Sequence, residues 1–260
     1  MSGRLVGKTA LITGGSRGIG KAIAVAFCNE GCSVFLIGRD EKRLKETAEE
    51  ISNIQEVDVS WYVCDVTNPQ AVKNMVAAAE SWKPIDILVN NAGIHKGASF
   101  LDYSAEDFRE VLETNVYGVF YVTQELLKRI VKQRPARVIN LASTAGKWGS
   151  RNQSAYNASK HAVVGLTRCL ALELAPHNIL VNAICPWVVD TDMATDFVET
   201  HAAALGKTQA ELKDQMNASV PLGRLIRVEE VAGLAVYLAS DEASYINGQS
   251  WTVDGGYTMV

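Results

Sequence analysis

The chain has 260 residues, of which 48% are hydrophobic and 21% are charged, and its net charge is −4. This length predicts a single soluble domain over residues 1–260. The negative net charge provides no basic surface for nucleic acid or for an anionic membrane. No apolar stretch approaches the ~20 residues that cross a bilayer, and the first residues carry no apolar leader, so we expect a cytoplasmic protein.

The cysteines are odd in number and scattered through apolar runs. They are Cys28, Cys32, Cys64, Cys169 and Cys185. This pattern favours small reduced side chains in the core over metal ligands, and we predict no metal site.

Apolar runs and helical periodicities alternate along the whole chain. Runs that fit short strands occur at residues 8–13, 33–37, 57–63, 85–89, 138–141, 179–184 and 249–253. Helical patterns occur at 19–31, after the cap residue Asp40, from Pro69, in one long helix after Ser104, and over 154–175. Strands that alternate with helices pair in parallel. We therefore predict one doubly wound, Rossmann-like parallel α/β sheet with helices on both faces.

The segment 186–221 breaks this alternation, because it is rich in alanine and contains no strand pattern. A long connection at the carboxyl edge of a parallel sheet is typical of a binding loop. We expect a helical substrate lid at about 190–220, with a purely structural helical insertion as the alternative.

A glycine-rich turn follows the first predicted strand and opens the first helix, with the sequence Thr13-Gly14-Gly15-Ser16-Arg17-Gly18-Ile19-Gly20. Gly14 permits the tight turn, Gly18 lets the backbone approach a pyrophosphate, and Gly20 permits close packing of helix on sheet. The start of the helix adds unpaired N–H groups and a positive dipole end. The turn predicts a dinucleotide site.

The end of the second strand indicates which dinucleotide binds. A carboxylate there would bind the adenosine ribose and repel a 2′-phosphate. This chain has Gly38 followed by Arg39, and Arg17 lies in the glycine turn. Guanidinium groups match phosphate oxygens in a two-pronged geometry, and Asp40 is occupied as a helix cap. We expect NADP(H) rather than NAD.

A tyrosine and a lysine in the predicted helix 154–175 indicate chemistry. Tyr156 and Lys160 are four residues apart, so they share one helical face. A cation held beside a phenol favours the phenolate and lowers the cost of moving its proton. Ser143 ends an apolar run just upstream. Together with the glycine turn, these residues predict hydride transfer between a nicotinamide and a carbonyl or alcohol carbon.

Over essentially its whole length the chain resembles the short-chain dehydrogenase/reductase family. The matching motifs are Thr13-Gly14-x-x-x-Gly18-x-Gly20, Asp65-Val66, Asn90-Asn91-Ala92-Gly93, Asn115, Ser143, Tyr156-x-x-x-Lys160 and Pro186-x-x-x-x-Thr191. The resemblance implies that Tyr156 is the proton donor, Ser143 the polar partner of the carbonyl, Lys160 a ribose ligand and Asn115 the holder of a relay water.

The resemblance also implies cofactor contacts. Asp65 would contact adenine, Asn91 the adenosine ribose and Thr191 the carboxamide. Further cofactor residues are expected at Ser16, Ile19, Val66, Gly93, Tyr156, Lys160, Pro186 and Val189. The chain departs from the family at Trp187, where a glycine is usual, and in its longer lid. If the backbone at Trp187 needed a positive φ it would be strained; otherwise the indole narrows the substrate pocket.

The substrate pocket is predicted from residues that follow the strands. We expect Ser143, Ala145, Gln153, Tyr156 and Trp187 to contact substrate, and we expect Ile94, His95, Thr144, Trp148, Met193 and Phe197 to line the pocket. These side chains are mainly apolar or aromatic, which suits an uncharged or amphipathic carbonyl compound.

Among several substrate classes, we favour a 3-oxoacyl thioester as the substrate that is reduced. The segments 142–174 and 241–260 resemble most the 3-oxoacyl-thioester reductases that act on acyl-carrier-protein or CoA substrates. The longer lid resembles hydroxybutyrate, cyclic-alcohol and polyol dehydrogenases. An acidic carrier protein would need basic docking groups, and Lys128, Arg129, Lys132 and Arg134 form such a cluster, unless it is simply a solvated face. A dinucleotide-sensing protein without turnover is the remote alternative.

Two helices are predicted to carry more apolar surface than one sheet face covers. The residues are Phe120, Tyr121, Leu126, Leu127 and Ile130 in one helix and Leu166, Leu170 and Leu174 in the next. The C-terminal residues from Gly255 to Val260 also end on apolar side chains. Such surfaces mark subunit contacts, and we predict a homotetramer, with a dimer as the alternative.

Overall fold

A computed structural model describes residues 3–53 and 57–259, which form one seven-stranded sheet with helices on both faces. The strands are β1 Thr9–Thr13, β2 Ser33–Gly38, β3 Val59–Val63, β4 Ile87–Asn90, β5 Ala136–Leu141, β6 Ile179–Pro186 and β7 Ser250–Val253. Their order is β3-β2-β1-β4-β5-β6-β7, and every pair is parallel. The predicted fold class is confirmed.

The helices occupy the connections between strands. They are α1 Gly18–Asn29, α2 Glu41–Ser52, α3 Pro69–Trp82, α4 Ala105–Leu112, α5 Gly118–Ile130, α6 Ser154–Leu174, α7 Asp192–Leu205, α8 Gln209–Ser219 and α9 Val228–Ala239. The side chains of Asp40, Asn68 and Ser104 cap α2, α3 and α4 by accepting backbone N–H groups. These caps explain why the three helices begin where they do.

Alternating side chains of the strands divide the core into two layers. On β2, Val34 and Leu36 pack with α1, α2 and α9, whereas Phe35 and Ile37 pack with α3 and α5. Because successive side chains of a strand point to opposite faces, both faces of this apolar strand are buried. A sheet of this kind leaves its carboxyl edge as the place for a site.

Two elements differ from the prediction. The single long helix expected after Ser104 is two helices, α4 and α5, joined by a π-helical turn at Glu113–Tyr117. The helix α9 was not predicted, because its sequence is apolar nearly throughout and shows little helical periodicity. Its buried residues are Val231, Ala232, Ala235, Val236 and Leu238. It packs against α1.

The segment after β6 forms two helices, α7 and α8, in agreement with the helical segment expected there. Val198 and Ala202 of α7 pack against Leu212 and Met216 of α8 in a small core of their own. This separate core sets the pair apart from the sheet layers. The role of the pair as a substrate lid stays a prediction.

The apolar surface predicted on α5 and α6 is smaller than expected. Leu126, Leu127, Ile130 and Leu174 are buried within the single chain, because they pack against the sheet and α3. Phe120 remains 39% exposed. The C-terminal Val260 lies outside the described residues.

Among the described residues, no helix has the length and apolarity required to span a bilayer.

Candidate active site

The loop between β1 and α1 forms a tight turn at the carboxyl edge of the sheet. Gly14 and Gly18 adopt positive φ angles of 64° and 52°, which other residues disfavour. A Cβ atom on Gly20 would lie 2.2 Å from the carbonyl oxygen of Gly14. Asn91, just after β4, donates from Nδ2 to the carbonyl oxygens of Thr13 and Gly14, at 3.1 Å each. The turn is therefore tied to β4, the strand on the other side of β1 from β2.

A groove of about 640 Å³ runs over this turn. Most of the predicted cofactor residues line it: Gly14, Ser16, Arg17, Gly18, Ile19, Arg39, Asp65, Val66, Asn91, Gly93 and Thr191. Gly20 lies behind the turn, where it permits close packing. Lys160 borders the groove, since its Nζ lies 3.7 Å from the position of a Cβ on Gly93. The positive φ angles and the free N–H groups at the start of α1 fit a pyrophosphate, so the groove fits a dinucleotide.

The end of the groove beside β2 is basic. Arg17, Arg39 and Arg43 all line it. Asp40 lines the same groove; as the cap of α2 it accepts the backbone N–H of Arg43 at 3.0 Å, and it pairs with the Arg43 guanidinium at 3.4 Å. Arg43 was not predicted, although an arginine in the first helical turn after β2 is a signal that the sequence contains. Arg17 also pairs with Asp192 at the start of α7, at 3.4 Å.

The side chains of Ser143, Tyr156 and Lys160 come together beyond the carboxyl ends of β5 and β6. Ser143 lies close enough to the Tyr156 hydroxyl to lower its pKa, and the Ser143 Oγ donates to the carbonyl oxygen of Pro186 at 3.3 Å. The Nζ of Lys160 lies 5.5 Å from the centre of the Tyr156 ring and donates to the carbonyl oxygen of Leu141 at 2.8 Å. The three predicted groups therefore form one cluster.

The protonation states in this cluster are set mainly by burial. Burial raises the pKa of Tyr156 to about 12, and the nearby Ser143 hydroxyl opposes this only in part. Burial lowers the pKa of Lys160 to about 8. We predicted that Lys160 would favour the phenolate. In the structure the pKa of the phenol is raised, because desolvation of the charged form outweighs the opposing effects. Near neutral pH the cluster is a protonated tyrosine beside a lysine cation.

Asn115 lies in the π-helical turn and binds the loop after β4. Its Oδ1 accepts the N–H of Ile94 at 2.8 Å, and its Nδ2 donates to the carbonyl oxygen of Ile94 at 2.9 Å. The same Nδ2 donates to Ser159 Oγ at 3.1 Å. Both hydrogens of the amide are thus used. If Asn115 holds the relay water that the family resemblance implies, it must bind that water through another group, such as its main chain.

A second cavity, of about 340 Å³, opens beside Tyr156. Ile19, Thr191 and Met193 line both this cavity and the groove, so the two lie side by side. The predicted substrate residues Ser143, Ala145, Gln153, Tyr156 and Trp187 all line it, together with His95, Thr144, Trp148, Met193 and Phe197. Pro186 and Val189, which were predicted to contact the cofactor, line this cavity and not the groove. Ile94 lines the groove instead.

Trp187 is accommodated without backbone strain. It is absent from the described non-glycine residues with positive φ. Its ring lies 4.8 Å from the ring of Tyr257, which also contacts Trp148 at 5.0 Å. The three rings form an aromatic wall. Tyr257 was not predicted, because it is far from every motif and the C-terminal turn alone brings it here.

Other cavity residues that the sequence analysis missed come from α7 and α8. They are Ala194, His201, Leu212, Gln215, Met216 and Ser219. No local pattern marks them, since their place in the wall depends on how the two helices pack over the sheet edge. Among the described residues, no group of His, Cys, Asp and Glu is arranged to hold a metal.

Comparison with known proteins identifies the family. The family model described as enoyl-(acyl carrier protein) reductase matches residues 14–258. The chain belongs to the short-chain dehydrogenase/reductase family.

Its relatives include several ketoacyl reductases. A protein assigned as ketoacyl reductase 1 of the granaticin polyketide synthase of Streptomyces violaceoruber is 41% identical, over 95% of this chain and 92% of that protein. The 3-oxoacyl-[acyl-carrier-protein] reductase of Aquifex aeolicus is 38% identical, over 97% and 98%. A crystal structure of a variant actinorhodin polyketide ketoreductase with NADPH is 38% identical, covers 99% of both chains and has a TM-score of 0.93.

This short-chain dehydrogenase/reductase is therefore an oxidoreductase with a groove for a nicotinamide dinucleotide. Two of the four residues in the basic cluster predicted for carrier-protein docking are paired with acidic side chains. Arg134 pairs with Glu80 at 2.6 Å, and Arg129 pairs with Glu125 at 3.0 Å. Lys128 donates to Gln124 at 2.9 Å. These contacts favour a solvated, ion-paired helix end over a docking surface.

Proposed function

We propose that the protein is an NADPH-dependent reductase that converts a 3-oxoacyl thioester into a 3-hydroxyacyl thioester. The observation that carries the proposal is the meeting of the Ser143 and Tyr156 hydroxyls in the wall of a largely apolar cavity, next to the dinucleotide groove. Two hydroxyls at one point suit an oxygen that gains negative charge.

The chemistry follows from the protonation states. A nicotinamide dinucleotide bound in the groove would supply the hydride that reduces the carbonyl carbon. Ser143 and Tyr156 donate hydrogen bonds to the carbonyl oxygen, and Tyr156 passes its proton to it. Since the pKa of Tyr156 is about 12, the phenol holds its proton at neutral pH and serves as the acid. Donors placed in advance at developing charge lower a barrier by about 3–4 kcal/mol each.

Lys160 contributes positive charge to the site, and Asn115 fixes the position of a loop beside it. Lys160 is cationic below a pKa of about 8, and it borders the groove where the resemblance places the nicotinamide ribose. Asn115 holds the loop through Ile94. In this proposal all four residues, Asn115, Ser143, Tyr156 and Lys160, form the catalytic site. A site this complete favours turnover over dinucleotide sensing.

The choice of NADPH is supported by the basic end of the groove. Arg17, Arg39 and Arg43 line this end of the groove, and β2 ends on Gly38 rather than on a residue with a carboxylate. Guanidinium groups bind a 2′-phosphate through paired, charge-assisted hydrogen bonds. The related actinorhodin ketoreductase is a complex with NADPH.

The thioester substrate is supported by the ketoacyl reductases among the relatives and by the mainly apolar cavity. The matching family model is described as an enoyl reductase. Hydride addition to an enoyl thioester gives an enolate whose final proton goes to carbon, whereas carbonyl reduction is completed by a proton on oxygen, the transfer proposed here for Tyr156. Carbonyl reduction is therefore the reaction that we propose.

The proposal is tested with a substrate panel in which the carbonyl and enoyl compounds are assayed with NADPH and NADH, and the alcohols with NADP+ and NAD+. The panel contains acetoacetyl-CoA, crotonyl-CoA, 3-hydroxybutyrate, cyclohexanone and a polyol, with the Tyr156→Phe protein as the blank. We expect the highest kcat/KM for acetoacetyl-CoA with NADPH. Higher kcat/KM for crotonyl-CoA, or for 3-hydroxybutyrate, the cyclic ketone or the polyol, would replace this proposal with the corresponding activity.

A further inference from the structure

The C-terminal turn, residues 254–258, supplies part of the wall of the substrate cavity, and the proposed chemistry gives it no role. Its Tyr257 lines the cavity together with Trp148 and Trp187. The ring of Tyr257 lies 4.8 Å from that of Trp187, tilted by 37°, and its centre is 5.0 Å from that of Trp148 in an edge contact. Tyr257 is therefore held by two other side chains of the aromatic wall.

The end of β7 ties the aromatic wall to the strand from which the turn departs. The backbone N–H of Trp187 donates to the carbonyl oxygen of Val253 at 3.0 Å. The Nζ of Lys147, the residue before Trp148, donates to Thr252 Oγ1 at 2.6 Å. Both tryptophans are thus anchored to β7, directly or through the preceding residue.

The carboxylate of Asp254 holds the backbone on both sides of Tyr257. It accepts the N–H of Gly256 at 3.0 Å, the N–H of Thr258 at 2.7 Å and the hydroxyl of Thr258 at 2.6 Å. The carbonyl oxygen of Asp254 also accepts the N–H of Tyr257 at 3.2 Å. Asp254 is only 8% exposed, and charge-assisted bonds that converge on a buried carboxylate are strong. The direction of the Tyr257 side chain therefore depends on Asp254.

The turn also packs closely against the chain that leaves α8. Gly255 and Gly256 adopt positive φ angles of 62° and 88°. A Cβ on Gly255 would lie 2.8 Å from Val220 Cγ1, and a Cβ on Gly256 would lie 3.2 Å from Pro221 Cγ. The turn thus contacts both the aromatic wall and the end of α8, and Tyr257 has a fixed place in the cavity.

We infer that Tyr257 limits the length of the acyl chain that the cavity accepts, and that Asp254 is the residue that positions it. A chain that extends from the reacting carbonyl toward the C-terminal turn meets the aromatic wall, and extra methylenes in a filled site are unfavourable. The inference rests on the proposed function in that it places the carbonyl at Ser143 and Tyr156. It narrows the substrate to a short-chain 3-oxoacyl thioester.

The closing experiment measures chain-length preference. The N-acetylcysteamine thioesters of 3-oxobutanoate, 3-oxohexanoate, 3-oxooctanoate and 3-oxodecanoate are reduced with NADPH, and the ratio of kcat/KM for the longest to the shortest is compared between variants. Tyr257→Ala removes the ring, and Tyr257→Phe keeps it. Tyr245→Ala is the matched control, because Tyr245 is fully exposed and does not line the cavity.

Asp254→Asn tests the positioning role. The amide has the shape of the carboxylate but carries a donor in place of one accepting oxygen, so at least one bond to the turn is lost. Thr258→Val, which removes only the hydroxyl that donates to Asp254, is the milder variant and decides if Asp254→Asn does not fold.

We expect the unmodified protein to prefer the 3-oxobutanoyl thioester. Tyr257→Ala should raise the ratio by about tenfold or more, the effect of one methylene in a hydrophobic pocket, while kcat for the shortest thioester stays close to its original value. Asp254→Asn and Thr258→Val should raise the ratio in the same direction, and Tyr257→Phe and Tyr245→Ala should leave it unchanged. A general loss of folded protein would lower every kcat alike and would not move the ratio.

Three results would contradict the inference. The unmodified protein could be most active on the 3-oxodecanoyl thioester, or the ratio could be unaffected by Tyr257→Ala. Either result would overturn the role of Tyr257. If Tyr257→Ala shifts the ratio but neither Asp254→Asn nor Thr258→Val does, Asp254 is not the residue that positions Tyr257.

Equilibrium binding separates this inference from the proposed function. The dissociation constants of the shortest and the longest thioester are measured by calorimetry on Tyr156→Phe loaded with NADPH, with and without Tyr257→Ala. A tenfold shift of their ratio toward the longer thioester supports the inference, even if no thioester is turned over and the proposed function fails. An unchanged ratio, or binding of neither thioester, would overturn it, whatever other ketones are reduced.

Discussion

At the scale of single residues, the reactivity of Tyr156 is governed by its burial. Replacing it with phenylalanine keeps the packing of the ring and removes only the hydroxyl. We expect Tyr156→Phe to lower kcat for carbonyl reduction by about 10²–10⁴-fold, because the transferable proton is lost. The dissociation constant of NADPH, measured by fluorescence titration, should change little. A variant with kcat within about tenfold of the unmodified protein would show that another group is the acid.

A second prediction follows from the raised pKa of Tyr156. The group titrates from a neutral acid to an anion, so a pKa raised to about 12 keeps it neutral well into the alkaline range. In the cofactor-free protein we expect no tyrosinate absorbance from Tyr156 up to about pH 9. The difference spectrum between the unmodified protein and Tyr156→Phe measures this directly. A tyrosinate signal with a midpoint near neutral pH would restore the phenolate expected from Lys160.

Coenzyme choice is also decided by single side chains. We expect Arg39→Ala to lower kcat/KM for NADPH by about 10- to 100-fold, since a charge-assisted hydrogen bond to the 2′-phosphate contributes about 1.5–3 kcal/mol. The value for NADH should stay within about twofold. Lys42→Ala is the control, because Lys42 is exposed in α2, the helix that follows Arg39, and is not among the groove residues. Equal losses with both coenzymes would remove Arg39 from this role.

At the scale of elements, the glycine turn and the π-helical turn shape the site. The first depends on close contact, since a Cβ on Gly20 would lie 2.2 Å from Gly14 O and 2.5 Å from Asn91 Nδ2. The second interrupts the helix between α4 and α5 and places Asn115 against the loop after β4. Turns of this kind recur at functional sites.

A pair of glycine substitutions tests the first element. We expect Gly20→Ala to lower the free energy of unfolding by about 1–3 kcal/mol and to weaken NADPH binding, because the turn must shift. Gly233→Ala is the matched control in α9, where a Cβ would meet nothing within 4 Å. Adding a better helix former there should raise the free energy of unfolding by up to about 1 kcal/mol. Denaturant titration measures the free energy of unfolding of both variants. An unchanged free energy for Gly20→Ala would contradict the close packing of Gly20 against Gly14.

At the scale of the whole molecule, the single chain still exposes apolar side chains along α5 and α6. Phe120 is 39% exposed and Leu172 is 81% exposed, while the leucines of α5 are already covered by the sheet. Exposed apolar surface of this kind marks subunit contacts. The predicted homotetramer therefore rests on fewer residues than the sequence suggested.

We expect sedimentation equilibrium at micromolar concentration to give the mass of a tetramer. Leu172→Glu should weaken the assembly, because it places a charge in a desolvated contact, while circular dichroism stays unchanged. A dimer would be the smaller alternative. A monomer for the unmodified protein would refute the prediction.

The sequence by itself determined the features that depend on local patterns. The alternation of strands with helices, the caps at Asp40 and Ser104, and the glycine turn all follow from neighbouring residues. The fold class follows from the same alternation. The four-residue spacing of Tyr156 and Lys160 likewise required a shared helical face. These inferences succeeded because local geometry and a short spacing carry the information.

Only the tertiary structure decided the rest. Burial reversed the expected shift of the Tyr156 pKa, and no spacing in the sequence reports burial. The approach of His201 to His95, and of Tyr257 to Trp187, joins segments that are distant in the chain. The physical reason is the same in each case: desolvation and contact depend on what the whole fold packs around a side chain, and that is absent from any local pattern.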